Sequence, residues 1–244
     1  MGLYKIADLY VQIDVRYPRC RTQLEKYRVD EEGIVPDIQY YVNQEMIDAY
    51  VESGKDSEII KDWPQHVIWD EVEYMLAGQI FYRQLLRYNG MLVHSSAIVK
   101  DNKAYLFSGK SGVGKSTHTG LWLEEFGDEV YILNEDKPAV RKMDGKYYAY
   151  GTPWSGKTNT NVNKKAELEC IVFLGQAEEN AIRKVDSKEA FTSLFEQTDR
   201  KADGRYMMAL MDMMEGIVKD VPIYHLDCNI SREAVRLAHD TIVK

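Results

Sequence analysis

The sequence predicts an α/β fold with a mixed sheet, preceded by a smaller β-rich N-terminal region. Three observations carry that reading. Strand-like and helix-like segments alternate from about residue 91 to the end, as in a layered α/β domain. A hairpin pattern at 139–151 adds antiparallel strands to the alternation. A glycine-rich stretch at 109–116 stands between a buried strand pattern and a helix pattern. Residues 1–90 read as a β-rich region plus one helix, and 91–244 as the larger domain. Whether the first 90 residues form a separate unit or extend the same sheet stays open.

Taken in order, residues 3–15 alternate apolar and polar and predict a strand. Residues 16–68 are polar, aromatic-rich and broken by Pro18, Gly33, Pro36, Gly54 and Pro64, which suggests short strands and turns. At 70–88 the spacing of Val72, Met75, Leu76, Ile80, Leu85 and Leu86 predicts a helix. Asp70, Glu71 and Glu73 favour its N-terminus, and Gly90 suits a left-handed end. Residues 91–99 predict a strand, 101–103 a turn, 104–108 a buried strand and Lys115 to Phe126 a helix. Strand 129–134 ends in Glu135-Asp136, and the 139–151 hairpin turns at Asp144-Gly145. Strands at 170–174 and 222–228 and helices at 187–197 and 203–218 follow. Ser231 caps a last helix with Glu233 in its first turn.

The totals exclude several classes. The 244 residues are 45% hydrophobic and 29% charged, which suits an ordinary globular core. A net charge of -8 without a basic run disfavours nucleic acid. No apolar run approaches the ~20 residues of a membrane helix, so no membrane partner is expected. The first residues lack a basic segment followed by an apolar core, so no signal peptide is read there, and a cytoplasmic protein is expected. Ile6 breaks the myristoylation pattern begun by Gly2. Cys20, Cys170 and Cys228 are far apart and indicate neither a disulfide frame nor a zinc site.

Gly109-Lys110-Ser111-Gly112-Val113-Gly114-Lys115-Ser116 matches G-x-x-x-x-G-K-[ST] in full. Glycines let backbone N–H groups turn inward around an anion, and the following helix N-terminus adds partial positive charge. Lys115 is placed to reach the β and γ phosphates of a nucleotide. The Ser116 hydroxyl is placed to ligate Mg²⁺, and Thr117 follows it. Lys110 reads mainly as a solvated loop lysine that could touch a phosphate oxygen. Glu135-Asp136 ends the strand after the loop helix, at the edge where open α/β sheets bind ligands. One carboxylate there can hold Mg²⁺ and the other accept a proton from an attacking hydroxyl.

With "LVHSSAIV" ahead of "LFSGKSGVGKST" and then an acidic pair, the chain resembles the catalytic domain of the HPr kinase/phosphorylase family. It is also similar to kinase-like proteins that share a fold with phosphoenolpyruvate carboxykinase. "NEDKPAV" and "GTPWSGK" resemble short HPr-kinase-related proteins of gut-type anaerobic bacteria. The likeness covers about residues 90–175. It implies a P-loop kinase domain of that fold, with ATP and Mg²⁺ as cofactors. The implied acceptor is a hydroxyl on a protein, a peptide or a small molecule. Homo-oligomerisation is left open. In the family a histidine precedes the loop, and His94 fits that place. The family's usual Asp-Asp pair is here Glu135-Asp136, so the resemblance implies Glu135 as proton acceptor and Asp136, with Ser116, as metal ligand. The signature by which HPr kinases dock their protein substrate is not found, which argues against HPr itself.

Other residues carry two readings each. His94 is either a phosphate-site residue or a strand histidine bonded to a backbone carbonyl. His118 reads as a helix-surface histidine. Trp154 either stacks on a substrate or half-buries in a turn, and Lys157 either holds an anion or is solvated. Lys137 is close enough to pair with Glu135 or with transferred phosphate, and Arg141 reads as solvated. His66, His225 and His239 form no constellation. The methionines at 207–214 read as helix core. Two functions of different class follow: an ATP-dependent kinase for a hydroxyl, or a nucleotide-binding regulatory protein with little turnover. A carboxykinase would need basic residues for its acid substrates and a longer chain, and a switch GTPase would need N-K-x-D, for which NEDK at 134–137 has the wrong order.

Overall fold

A computed structural model describes residues 1–31, 33–54, 63–200 and 204–243. The segment read as one strand over 3–15 is a hairpin of β1 (Gly2–Ile6) and β2 (Leu9–Asp14). Ala7 and Asp8 both take positive φ, 51° and 61°, as a two-residue hairpin turn of the primed type demands. Ala7 is a poor turn signal, so the alternation ran through it unbroken.

Residues 16–68 hold more helix than their breakers suggest. Pro18 does not interrupt a strand; it opens α1 (Pro18–Glu25), where a missing N–H costs nothing. β3 (Ile38–Tyr41) pairs in parallel with β2. Asn43 caps α2 (Gln44–Glu52) by accepting from the Met46 N–H at 2.9 Å. The rest of that reading, at 55–62, lies outside the described residues.

The predicted 70–88 helix is α3 (Gln65–Leu85), followed by a 3-10 turn at Leu86–Tyr88. Its acidic residues do not serve its own N-terminus. Glu73 accepts from the backbone N–H groups of Arg16 (2.6 Å) and Tyr17 (2.7 Å), and Asp70 from that of Arg19 (2.9 Å). They satisfy the start of α1 instead. The left-handed residue is Asn89, φ 52°, and Gly90 opens the next strand.

The strand predicted over 91–99 is two, β4 (Gly90–Leu92) and β5 (Ser95–Lys100), separated by Val93-His94. β6 (Lys103–Ser108), α4 (Lys115–Phe126) and β7 (Val130–Asn134) follow as expected. β8 (Ala139–Met143) and β9 (Lys146–Tyr150) form the hairpin turned by Asp144-Gly145. β10 (Lys165–Gln176) is longer than its apolar centre suggested. An unanticipated β11 (Ala181–Lys184) precedes α5 (Ser187–Glu196) and α6 (Gly204–Asp220). β12 (Ile223–Cys228) and α7 (Arg232–Ile242) end the chain, and the Ser231 hydroxyl accepts from the Ala234 N–H at 3.2 Å.

Among the described residues the strands form a three-stranded sheet, β1-β2-β3, and a curled nine-stranded mixed sheet. β10 lies at the centre of the larger sheet, parallel to β6 and β12 and antiparallel to β9. On one face α4 and α7 bury Phe107, Trp122, Leu226 and Val235. On the other, α5 and α6 bury Leu106, Leu194, Met214 and Ile217. Met213 and Met214 are core as predicted, whereas Met208 is 69% exposed. A third cluster joins the small sheet and α3 to Ala139, Tyr150 and Trp154. β7 and β6 each run antiparallel to β5, so they end at one edge. That shared edge brings the glycine loop and Glu135-Asp136 together. No described helix is long and apolar enough to cross a membrane.

Candidate functional site

Gly109 leaves β6 with φ 143°, and a Cβ there would come within 3.2 Å of the Leu174 carbonyl oxygen. Glycine therefore lets the loop turn directly off β6. Lys115 opens α4, is 9% exposed, and donates through Nζ to the carbonyls of Gly109 (3.0 Å) and Lys110 (3.4 Å). Burial pulls its ammonium below the usual lysine range, opposed by the charge of Asp136. Lys110, Ser111, Gly112, Ser116 and Thr117 are exposed.

The acidic pair is held by a residue that sequence reasoning passed over. Asn134 is fully buried at the end of β7. Its Oδ1 accepts from the N–H groups of Asp136 (2.9 Å) and Lys137 (2.8 Å), and its Nδ2 donates to the Thr152 carbonyl (3.0 Å). An asparagine closing a strand before two acids is the signal that could have found it. Asp136 meets His94: His94 Nε2 lies 2.9 Å from Asp136 Oδ1. The backbone of His94 is fixed by its N–H to the Gln197 carbonyl at 2.7 Å. Burial alone would raise the Asp136 carboxyl, but the hydrogen bonds from His94 and Lys137 and their charges hold it well below the usual carboxylate range. Glu135 takes a hydrogen bond from the Thr158 hydroxyl.

One cavity of about 600 Å³ gathers His94, Lys115, Ser116, Thr117, Glu135 and Asp136, with Ser111, Gly112 and Gly114 of the loop. Gly109, Lys110 and Val113 do not line it. They face a second cavity, of about 410 Å³, beside His225. The first cavity also has a wall from the N-terminal region: Arg19, Glu71 and Tyr74. Arg19 ion-pairs with Glu71, donates to the Gly156 carbonyl at 2.9 Å and lies 4.3 Å over the Tyr74 ring. Nothing local in the sequence marks those three residues for this place.

Several expectations are corrected. Lys137 pairs with Asp136, not Glu135, and Asn134 accepts from the backbone N–H groups of both. Trp154 neither stacks on a ligand nor half-buries. It is 1% exposed, stacked on Phe81 with ring centroids 5.0 Å apart, and donates to the Tyr74 carbonyl at 3.0 Å. Arg141 is not solvated; it is 8% exposed and donates to the carbonyls of Ala7 (2.6 Å) and Tyr88 (3.1 Å). His118 is not on the helix surface. It is buried against Phe107 and accepts from Trp122 Nε1 at 3.1 Å. His225 and His239, for which no constellation is read, each meet a neighbouring aspartate as a charged partner, Asp227 at 3.1 Å and Asp240 at 3.0 Å.

Among solved structures, this chain is similar to the HPr(Ser) kinase/phosphatase from Coxiella burnetii. The identity is 13% and the TM-score 0.35, over 62% of this chain and 87% of that one. No family model and no curated protein matches the sequence.

Proposed function

We propose that the protein is an ATP-dependent kinase that transfers the γ-phosphoryl group to a hydroxyl. One observation carries the reading: a lysine and a hydroxyl of the glycine loop share a single cavity with a histidine-paired carboxylate and a second carboxylate. Phosphoryl transfer needs positioning and charge neutralisation, and those groups supply both. Lys115 and the loop N–H groups would hold the phosphates. Asp136, fixed on both oxygens by His94 and Lys137, is suited to remain charged. Glu135, fixed on one oxygen by Thr158, is suited to receive the hydroxyl proton.

The donor set fits Mg²⁺. Ser116 and Asp136 offer hard oxygens on one cavity, and among the described residues no group of three His, Cys, Asp or Glu forms a protein-only cage. Mg²⁺ on a nucleotide is usually held by one or two protein oxygens plus phosphate and water. When bound there it would neutralise phosphate charge. The nucleobase fits a third cavity, of about 310 Å³, where Val113, Leu121, Leu174 and Ile230 make an apolar lining beyond Thr117. His118 faces that cavity as a neutral ring, since burial pushes its pKa down to about 4.

Mass detection of phosphorylated product, with Mg-ATP and a panel of hydroxyl acceptors, tests the reading. Glu135→Gln should keep nucleotide affinity and lower transfer by about 10²–10⁴-fold. Lys115→Ala should weaken both. Tight nucleotide binding with no acceptor labelled would instead identify a regulatory protein with little turnover.

A further inference from the structure

We propose that the acceptor is a small hydroxy compound bearing a carboxylate or phosphate, held by Lys157 and Arg19 under the wall formed by the N-terminal region. The inference rests on the kinase reading and names its acceptor class. With the glycine loop and the acidic pair serving the phosphoryl group, the hydroxyl must be presented from the remaining walls. Those are Arg19, Glu71, Tyr74 and Met75 of the N-terminal region and the segment 155–158.

That segment is pinned at three points. The Thr158 hydroxyl donates to Glu135, and the Gly156 carbonyl accepts from Arg19 Nη2 at 2.9 Å. Gly156 also lies against the acid pair. Its φ is +76°, and an added Cβ would meet the Asp136 Cβ at 3.0 Å. Lys157 stands between these fixed neighbours, exposed on the cavity. Its place is therefore set by the same contacts that set the carboxylates.

With Lys115 assigned to the phosphates, the other cations of the cavity differ in what they meet among the described residues. Lys137 answers Asp136 and Arg19 answers Glu71, whereas Lys157 makes no ion pair or hydrogen bond among the described residues. Arg19 also has capacity to spare. A guanidinium carries five N–H donors in a fixed fork. Glu71 and the Gly156 carbonyl take two of them, and Nε is buried without a partner. The Tyr74 ring beneath it holds the fork in plane. A planar carboxylate or a phosphate is the complement of such a fork beside an ammonium.

Size argues for a small molecule. About 600 Å³ must admit the phosphate end of the nucleotide as well as the acceptor. Single drug-sized ligands already occupy pockets of ~300–1,000 Å³. The Tyr74 hydroxyl accepts from the Ser155 N–H at 2.9 Å and donates to the Pro153 carbonyl at 3.1 Å. Together with the Arg19–Gly156 bond, these ties hold the 153–156 segment against the wall from the N-terminal region. In the transfer, the acceptor oxygen bonds to the γ-phosphorus as the bond from that phosphorus to the β,γ-bridging oxygen breaks. The hydroxyl proton passes to Glu135, and ADP leaves with the electron pair.

The test uses the full chain and four probes: glycerate, glycerol 3-phosphate, glycerol and a serine-containing pentapeptide. Equilibrium dialysis against protein saturated with Mg²⁺ and a non-hydrolysable ATP analogue reads binding; mass detection with Mg-ATP reads transfer. The two anionic probes should bind at least about tenfold more tightly than glycerol or the peptide. Lys157→Ala should remove that advantage and Lys157→Arg should retain it, with nucleotide affinity reporting that both variants fold. Equal binding of glycerol, preference for the peptide, or indifference to Lys157→Ala overturns the proposal. Anionic probes that bind through Lys157 without being labelled would uphold this subsite and refute the kinase. Labelling that ignores Lys157 would do the reverse.

Discussion

His118 should make the protein acid-sensitive by an amount that its surroundings set. The ring lies 4.7 Å from Phe107, centroid to centroid, and its Nε2 accepts from Trp122, so protonation places a charge among aromatic groups with one nitrogen already committed. Burial pushes its pKa down from 6.5 to about 4. The native protein thus binds the proton later than the unfolded chain does. Stability from this group is present above pH 6.5 and is lost as pH falls towards 4. At about 1.4 kcal/mol per pKa unit, the loss between pH 7 and pH 4 is about 3 kcal/mol. Urea unfolding of the wild type and of His118→Gln at both pH values isolates it. Other groups, including Glu73, which burial shifts upward, contribute equally to both proteins and cancel. The wild type should lose about 3 kcal/mol more than the variant over that range. Parallel curves would mean that water reaches the ring and that the closed packing of α4 on β6 is wrong.

Asn134→Ala should cost about 2–4 kcal/mol by urea unfolding, because it strips two backbone N–H groups and a carbonyl of buried partners. It should also lower phosphoryl transfer more than nucleotide binding, since the acids lose their turn and the glycine loop does not. Gly78→Val should destabilise by about 1–3 kcal/mol, as even a Cβ at that position would lie 2.8 Å from the Trp154 ring. A melting temperature unchanged by the larger side chain would show that the tryptophan can move aside.

What was legible in the sequence was what local chemistry decides. Asp144-Gly145 turns a hairpin because both residues tolerate positive φ, and Ser231 caps α7 because its hydroxyl reaches the third N–H along. That the glycine loop, its lysine and the acid pair would meet at one sheet edge could be read for the same reason: each directly follows a strand or opens a helix. The errors lie where a distant partner decides. Arg141 looks like a surface arginine until the carbonyls of Ala7 and Tyr88 close over it. The acids of α3 look like its own N-terminal charges until α1 brings its unpaired N–H groups to them. The Arg19–Tyr74 wall was invisible for the same reason, since it meets the acid pair only through contacts such as Arg19 to Gly156, 137 positions away in sequence.

Those contacts give α3 a role that its sequence as an amphipathic helix does not suggest. One face of it holds the site from behind. Tyr82 donates to the Lys137 carbonyl and contacts the Thr152 hydroxyl at 2.9 Å, Tyr74 takes the Ser155 N–H, and Gly78 leaves room for the Trp154 ring. All three residues are spaced four apart, so they form a single stripe along the helix. The stripe reaches Lys137, beside the acid pair, and the segment that carries Lys157. The scaffold therefore divides as the proposed chemistry divides. The loop is built on β6 and α4 and answers to the large sheet, whereas the proposed acceptor wall is built on α3 and answers to the N-terminal core. If the proposed function holds, a change in the N-terminal region alters which acceptor is taken and leaves nucleotide binding as it was.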